Sequence, residues 1–217
     1  MEDNVEQCLI EDPDKKGYFR DKRESDQEYY IAQYNQKCKE KNGIAFHFIN
    51  GKIASVDQFS KGTHIMKWIE FNYGSTNPTM TVLDNGSIVY EGGFSGNYLE
   101  GFVRSGKGKE FEMIGGVQTL VFDGQFHEDM RDGEGIYFEN GYPRYRGQWK
   151  PSGPISLPNG EGILYDQTGG YMFSSQWKDG FAYSEGVWYD YESLKSYGNC
   201  GKSCFRRRVK KLKKSVL

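Results

Sequence analysis

Cysteine, histidine, leucine and long apolar runs are all scarce in this sequence, and each scarcity removes a class of protein. The four cysteines (Cys8, Cys38, Cys200, Cys204) are scattered without a framework, which suits a reducing cytosol rather than a disulfide-stapled secreted domain. The three histidines, His47, His64 and His127, show no ligand spacing and read as surface or turn residues. No run approaches the roughly 18 apolar residues of a membrane span. The N-terminal stretch MEDNVEQCLIEDPDKK is acidic and lacks an apolar core, so neither a secretory signal nor a transit peptide is expected. Few leucines argue against a helix bundle.

Glycine and aromatics fill the space left by these absences. The 217 residues include 28 glycines, and Phe, Trp and Tyr make up 16% of the chain, a composition of short strands and tight turns. The formal net charge of -2 conceals an asymmetry. Residues 202–217 carry eight basic residues and no acid, whereas residues 1–201 carry 30 acidic and 20 basic residues. An acidic body argues against nucleic-acid binding and marks the basic tail as a separate device.

A repeat organises the rest. Taking the aromatic of the GQF-like triplets as position zero gives Tyr34, Phe59, Phe94, Phe126, Trp149 and Trp177. Four residues earlier stand Tyr30, Ser55, Tyr90, Phe122, Tyr145 and Phe173, with a small residue midway in most units. Downstream, an anchor position holds Gly43, Trp68, Gly108, Gly135, Gly162 or Gly186. An aromatic returns three residues later as Phe46, Phe71, Phe111, Phe138, Tyr165 and Tyr189. Side chains alternate along a strand, so positions -4, -2 and 0 share one face, and each unit reads as a β-hairpin around a polar turn. These twelve zero-position and returning aromatics are the expected repeat core. Residues 72–81, NYGSTNPTMT, read as an insertion. The first copy, YIAQYNQKCKEKNGIAF (residues 30–46), has two readings. Ser25 and Glu28 form a capping-box pattern for a helix over 26–41, while Tyr30, Ala32, Gln33 and Tyr34 match the hairpin units.

The segments YRGQW, FDGQFHEDMRDGEGIYF and SQWKDGFAYSEGVWY resemble the MORN repeat, whose pattern runs Tyr-x-Gly-x-Trp with Gly-x-Gly nearby. The resemblance spans roughly residues 28–191, is closest over 122–190 and is degenerate before 90. It implies an all-β fold: an elongated, single-layer antiparallel sheet of about six stacked MORN-type hairpins. The expected organisation is an acidic flexible arm over 1–27, the repeat array over 28–197 and a basic amphipathic tail over 198–217.

Enzyme chemistry is not expected. CGKS at 200–203 lacks the glycine that a phosphate-binding loop needs five residues before Gly201; Ser196 stands there. The acids of EDMRDGEG lack calcium-loop spacing, and no nucleophile–base set emerges. No catalytic residue, metal or cofactor is assigned.

Two features carry functional expectations. In the tail, Phe205, Val209, Leu212 and Val216 recur at helical spacing among Arg206, Arg207, Arg208, Lys210 and Lys211, which reads as a short basic helix. Such a segment docks on protein, caps the last hairpin or covers the chain's own apolar sheet face, or, with Cys200 and Cys204 acylated, lies on the inner face of a membrane. Along the array, the residue two past the anchor turns apolar in the last units. Tyr137, Leu164 and Trp188, with Tyr183, are therefore read as a partner or dimer interface on the reverse face of the sheet. The MORN resemblance implies a non-catalytic, cytoplasmic scaffold for protein–protein assembly, in a cytoskeletal, ciliary or axonemal complex of the radial-spoke kind. Its partners would be other proteins, by homodimer or MORN–MORN pairing among other modes, and not nucleic acid. The alternatives are a peripheral membrane adaptor anchored by the tail and a regulatory subunit of a partner enzyme.

Overall fold

Alternating aromatic and small residues, punctuated by Asn-Gly and Gly-Gly pairs, dictate short strands joined by tight turns. At 50–51, 85–86, 115–116 and 140–141 both residues have positive φ, the backbone of turns that match the twist of adjoining strands. The computed structural model describes residues 9–35, 40–74, 76–166 and 171–190, with only the backbone of Tyr171, Trp188 and Asp190 described. These residues form sixteen strands and no helix, and every pairing between strands is antiparallel. The chain divides into two units, Met1–Gln118 and Thr119–Leu217.

The first unit runs β1 (Leu9–Glu11), β2 (Phe19–Asp21), β3 (Glu28–Asn35), β4 (Glu40–Ile49), β5 (Lys52–Ser60), β6 (Thr63–Asn72), β7 (Thr79–Asp84), β8 (Ser87–Asn97) and β9 (Gly101–Ile114). Each strand pairs with its sequence neighbour in an open sheet. The ambiguous first copy is a hairpin: β3 pairs with β4 from Glu28↔Ile49 to Asn35↔Glu40. The helix signal at Ser25 is spent locally, because its hydroxyl accepts the Glu28 amide at 2.9 Å and the chain then extends. Part of the segment read as a flexible arm is strand as well. β1 pairs with β2, and Phe19 of β2 pairs with Ala32 of β3.

The repeat alignment shifts in this first copy. Ala32 pairs with Ala45 as Gly124 pairs with Gly135, so Ala45, not Gly43, occupies the anchor position. Gly43 instead matches Gly133 and Gly160. All three have φ between 104° and 112°, and at each a Cβ would strike the glutamine one residue before position zero (Gln33, Gln125, Gln148). Those glutamines accept the next backbone amide (Ile44, Glu134, Glu161) at 3.0–3.3 Å, satisfying a donor beside a break in the ladder. The first turn is two residues longer than in the fourth unit, which produces the slip.

β7 lies at the end of the presumed insertion, and it has a large effect. Two adjacent rows cross seven strands in unbroken register. One row is Tyr30–His47–Ser55–Glu70–Thr81–Glu91–Lys109 and the other is Ile31–Phe46–Val56–Ile69–Val82–Tyr90–Glu110. Directly paired residues share a face and adjacent rows point to opposite faces. Tyr30 and Tyr90, equivalent in the repeat, therefore project from opposite sides. A single extra strand has reversed the direction of the third hairpin and turned its aromatics over.

Ala32, Ala45 and Phe59 form a small buried cluster on the first row's face, while the second row's face carries most of the buried aromatics of this unit. Ile31, Phe46, Val56, Phe71, Met80 and Tyr90 are buried there, and Phe71, Phe94 and Phe102 form a ring cluster with centroids 4.7–5.9 Å apart. Tyr98, from the β8–β9 turn, meets Phe46 and Phe48 at 5.7 and 5.5 Å, and Tyr18 flanks Phe46. Lys15 donates to the Tyr98 carbonyl at 2.9 Å. The expected single layer is thus covered on this side by the unit's own turn and N-terminal residues.

The second unit holds β10 (Val117–His127, which starts just before the division), β11 (Met130–Glu139), β12 (Tyr142–Ser152), β13 (Ile155–Tyr165), β14 (Tyr171–Lys178), β15 (Phe181–Ala182) and β16 (Val187–Asp190). Both β15 and β16 pair with β14. Its organising feature is a row of glycines, Gly124–Gly135–Gly147–Gly162, continued by Ser175. The ring of Phe122 lies over Gly124 and Gly135, and that of Tyr145 over Gly147 and Gly162. Edge-to-face contacts then link Phe126, Phe122, Trp149, Tyr145, Trp177 and Phe173 in a zigzag, with centroids 5.3–6.3 Å apart. The indoles also donate to anchor carbonyls of the preceding unit, Trp149 to Gly135 and Trp177 to Gly162, at 3.3 and 3.1 Å.

A methyl group at Gly135 or Gly162 would collide with the overlying ring. Gly135→Ala or Gly162→Ala is expected to lower stability by about 1–3 kcal/mol through overpacking, read by chemical denaturation, and to change the near-UV aromatic dichroism. Gly141→Ala, at a positive-φ turn with open space around it, is expected to cost about 1 kcal/mol and to leave that dichroism unchanged.

Candidate functional site

Two surfaces concentrate chemistry, one in each unit. In the first unit, β3, β4, β5 and β6 place Tyr30, His47, Phe59 and His64 on the face that also buries Ala32 and Ala45. His47 stacks on Tyr30 at 4.3 Å, Tyr30 meets Phe59 edge-on at 5.7 Å, and Phe59 meets His64 edge-on at 5.3 Å. Lys41 lies 3.7 Å over the Tyr30 ring and pairs with Glu24 at 2.6 Å, so its charge is met by both a carboxylate and a π face. His47 pairs with Glu28 and His64 with Asp57, each at 2.9 Å. Two of the three histidines, His47 and His64, are thus built into an aromatic cluster, whereas His127 is exposed at the end of β10.

Ser55, Asp57 and His64 come together, but not in the order that nucleophilic catalysis needs. The Ser55 hydroxyl donates to one oxygen of the buried Asp57 carboxylate at 2.5 Å, and His64 binds the other. With the carboxylate in the middle, the hydroxyl faces no imidazole base. The arrangement holds a buried charge by two hydrogen bonds, a structural solution for an acid on this face. Among the described residues, no group of three or more His, Cys, Asp or Glu side chains could hold a metal ion.

In the second unit, register locates the residues expected to form an interface. Tyr137 pairs with Phe122 and Tyr145, Leu164 with Tyr145 and Phe173, and Trp188 with Phe173. Tyr137 and Leu164 therefore stand on the ring-bearing face, not on the reverse face, and the backbone of Trp188 holds the matching register position. Tyr137 is half-buried, meets Trp149 at 6.3 Å and lies beneath Arg131, whose guanidinium also covers Phe122 and Trp149. Leu164 is half-buried, and only the backbone of Trp188 is described. Tyr183 is apart from this row, 65% exposed beside the β14–β15 turn. Together with Lys150, Pro151, Asn159, Gly160, Trp177, Lys178 and Asp179 it lines an open pocket of about 410 Å³.

Of the repeat aromatics, Phe46, Phe59, Phe71, Phe126, Trp149 and Trp177 are buried, while Tyr34, Phe94, Phe111, Phe138, Tyr165 and Tyr189 are partly covered. Phe138, Tyr165 and Tyr189 lie on the face away from the glycine row. Beside them runs Ile136–Arg146–Ile163–Ser174–Val187, and next to that lie the pairs Glu134–Gln148 and Glu161–Gln176, joined where the Glu161 amide donates to the Gln148 side chain. The acids of EDMRDGEG read in sequence only as a turn, although a signal for the row exists: GEGI, GEGI and SEGV recur at 133–136, 160–163 and 184–187, where the third unit has GKGK. Cys8, Cys38, Cys200, Cys204 and the tail residues Phe205, Arg206, Arg207, Arg208, Val209, Lys210, Lys211, Leu212 and Val216 lie outside the described residues.

Burial raises the Tyr145 hydroxyl well above its ordinary value of 10.0, with the charge of Glu134 adding to it. Burial does the same for Tyr34, whose hydroxyl has no hydrogen-bond partner and faces the charges of Glu24 and Asp21. A raised folded-state value favours the neutral phenol, so the stability it supplies is full below 10.0 and is lost as pH climbs through the raised values. In a spectrophotometric alkaline titration, Tyr145→Phe and Tyr34→Phe are each expected to remove one tyrosine from the late-ionising class that titrates only with unfolding. Neither should change the early class.

Comparison with known proteins finds no family model and no curated protein that matches this chain.

Proposed function

We propose that this chain is a MORN-type repeat scaffold, a stack of six hairpins whose open sheet faces hold other proteins together. The observation that carries this reading is the recurrence of one hairpin design. A ring over a glycine pair, a glutamine at the ladder break and an indole bonded to the preceding anchor carbonyl are repeated in the second unit with little variation. Such a design extends a surface unit by unit, and each unit needs its neighbour to cover its rings. The sequence resemblance supports the same family and, by analogy alone, a cytoplasmic place in a cytoskeletal or axonemal assembly of the radial-spoke kind. In this reading the scaffold is non-catalytic, and its tail is a short basic helix.

The partner surface is the flank of the ring face, where Leu164 and Tyr137 offer apolar edges and Tyr183 is exposed beside the pocket. Affinity isolation with cross-linking should recover a defined set of proteins, and Leu164→Asp combined with Tyr183→Asp should reduce that set at least about tenfold, as removal of interface anchors does. If the double variant stays folded, soluble and fully associated, the interface assignment fails. Imaging of tagged protein with and without residues 200–217 separates the scaffold from the membrane adaptor. Unchanged filament or cilium labelling is expected, and loss of a membrane rim would overturn it.

A further inference from the structure

The face of the second unit away from the glycine row has a chemistry that its own strands do not use. Ile136 on β11 and Ile163 on β13 are half-buried, and Val187 on β16 is 37% exposed. They sit in one register row, two strands apart, hence at intervals of about 10 Å. The neighbouring row carries Glu134 and Glu161, both exposed, and the third acid of the series, Glu185, precedes Gly186 in the same way. None of the three forms a salt bridge among the described residues; Glu161 accepts only the Gln176 amide, at 3.2 Å. One cation, Arg146, stands in the aliphatic row between Ile136 and Ile163. Over residues 119–190 the chain carries eleven acidic and five basic side chains.

We propose that this aliphatic row and its acidic neighbour are the docking surface for the chain's own C-terminal segment, residues 205–217. Three observations converge on that occupant. The first is charge: residues 202–217 hold eight basic residues and no acid, facing three glutamates without a salt bridge among the described residues. The second is spacing. Phe205 and Leu212, like Val209 and Val216, are seven residues apart, which in a helix is about 10.5 Å, the separation of Ile136 from Ile163 across two strands. A helix lying across the strands sets its apolar stripe on the aliphatic row and its basic flank on Glu134 and Glu161. The third is reach. β16 bears Val187 and runs to Asp190, and fourteen residues separate Asp190 from Phe205. That is up to about 50 Å of extended chain, against about 20 Å across the strands from β16 to β11. The proposal does not rest on the MORN reading; it concerns how one face of this unit is covered.

The test is zero-length carbodiimide cross-linking of the full-length chain, with nitrogen-15-labelled and unlabelled protein mixed before reaction and products read by mass spectrometry. Links from Lys210, Lys211, Lys213 or Lys214 to Glu134, Glu161 and Glu185 within single copies are expected, weakening as salt is raised. Glu134→Gln with Glu161→Gln removes the acceptors, so the remaining Glu185 links report the surface, and they should fall about fivefold when two ion pairs are lost. Arg146→Glu should raise the same links, a gain that misfolding would not produce. Links of mixed isotope at these glutamates would transfer the role to the tail of a second copy and overturn the proposal. So would links scattered over the acids of the whole chain. An absence of tail links in the purified protein would also overturn it, leaving the segment to an outside partner or a membrane surface.

Discussion

The second unit depends on one close approach, an aromatic ring laid flat across two glycines of adjacent strands. Phe122 covers Gly124 and Gly135, and Tyr145 covers Gly147 and Gly162. A sheet face is normally buried by a second layer. Here the missing Cβ atoms leave a trough into which each unit folds its own ring, and Phe122 is fully buried as a result. The following indole closes the trough edge-on and reaches back to an anchor carbonyl, so covering one hairpin requires the next. Cooperativity between neighbours follows from this geometry.

The first unit has lost most of this device. Alanines replace the glycine pair at 32 and 45, and serine and aspartate stand at 55 and 57. The face instead relies on ion pairs against rings and on a buried carboxylate held by Ser55 and His64. Its apolar weight has moved to the opposite side, where Tyr98 covers Phe46 and Phe48, Tyr18 flanks Phe46, and Phe71 packs with Phe94 and Phe102. The unit thus packs most of its aromatics on one face and, on the other, a smaller buried cluster of Ala32, Ala45 and Phe59 beside charged groups.

Much of this was legible in residue spacing. The period-two aromatics and turn dipeptides located all six hairpins, including the first copy, where a capping signal competed; Ser25 bonds Glu28 there without starting a helix. What spacing could not resolve was register. A turn two residues longer displaced the first anchor from Gly43 to Ala45, because identity at a position says less than which residue lies opposite. Faces were misread for the same reason. Tyr137 and Leu164 belong with the rings, and the true reverse face, with Glu134 and Glu161, emerged only from cross-strand pairing. The MORN resemblance is the basis only of the proposed function, whereas the chemistry of the two surfaces could be seen only when strands were set side by side.

β7 has a consequence that reaches past this one sheet. In an antiparallel sheet, hairpins add in twos and preserve sidedness, whereas a lone strand is an odd step that inverts everything after it until another odd step restores it. The repeat of the first unit is therefore governed by parity. Tyr30 and Tyr90 obey one sequence rule yet look out from opposite sides, because the number of strands between their hairpins is odd. Loss of β7 would not merely shorten the sheet. It would exchange inside for outside across β8 and β9, sending Phe94 and Phe102 to the side now held by Glu91 and Lys109. A two-faced protein can thus be written in a one-faced repeat by the gain of a single strand.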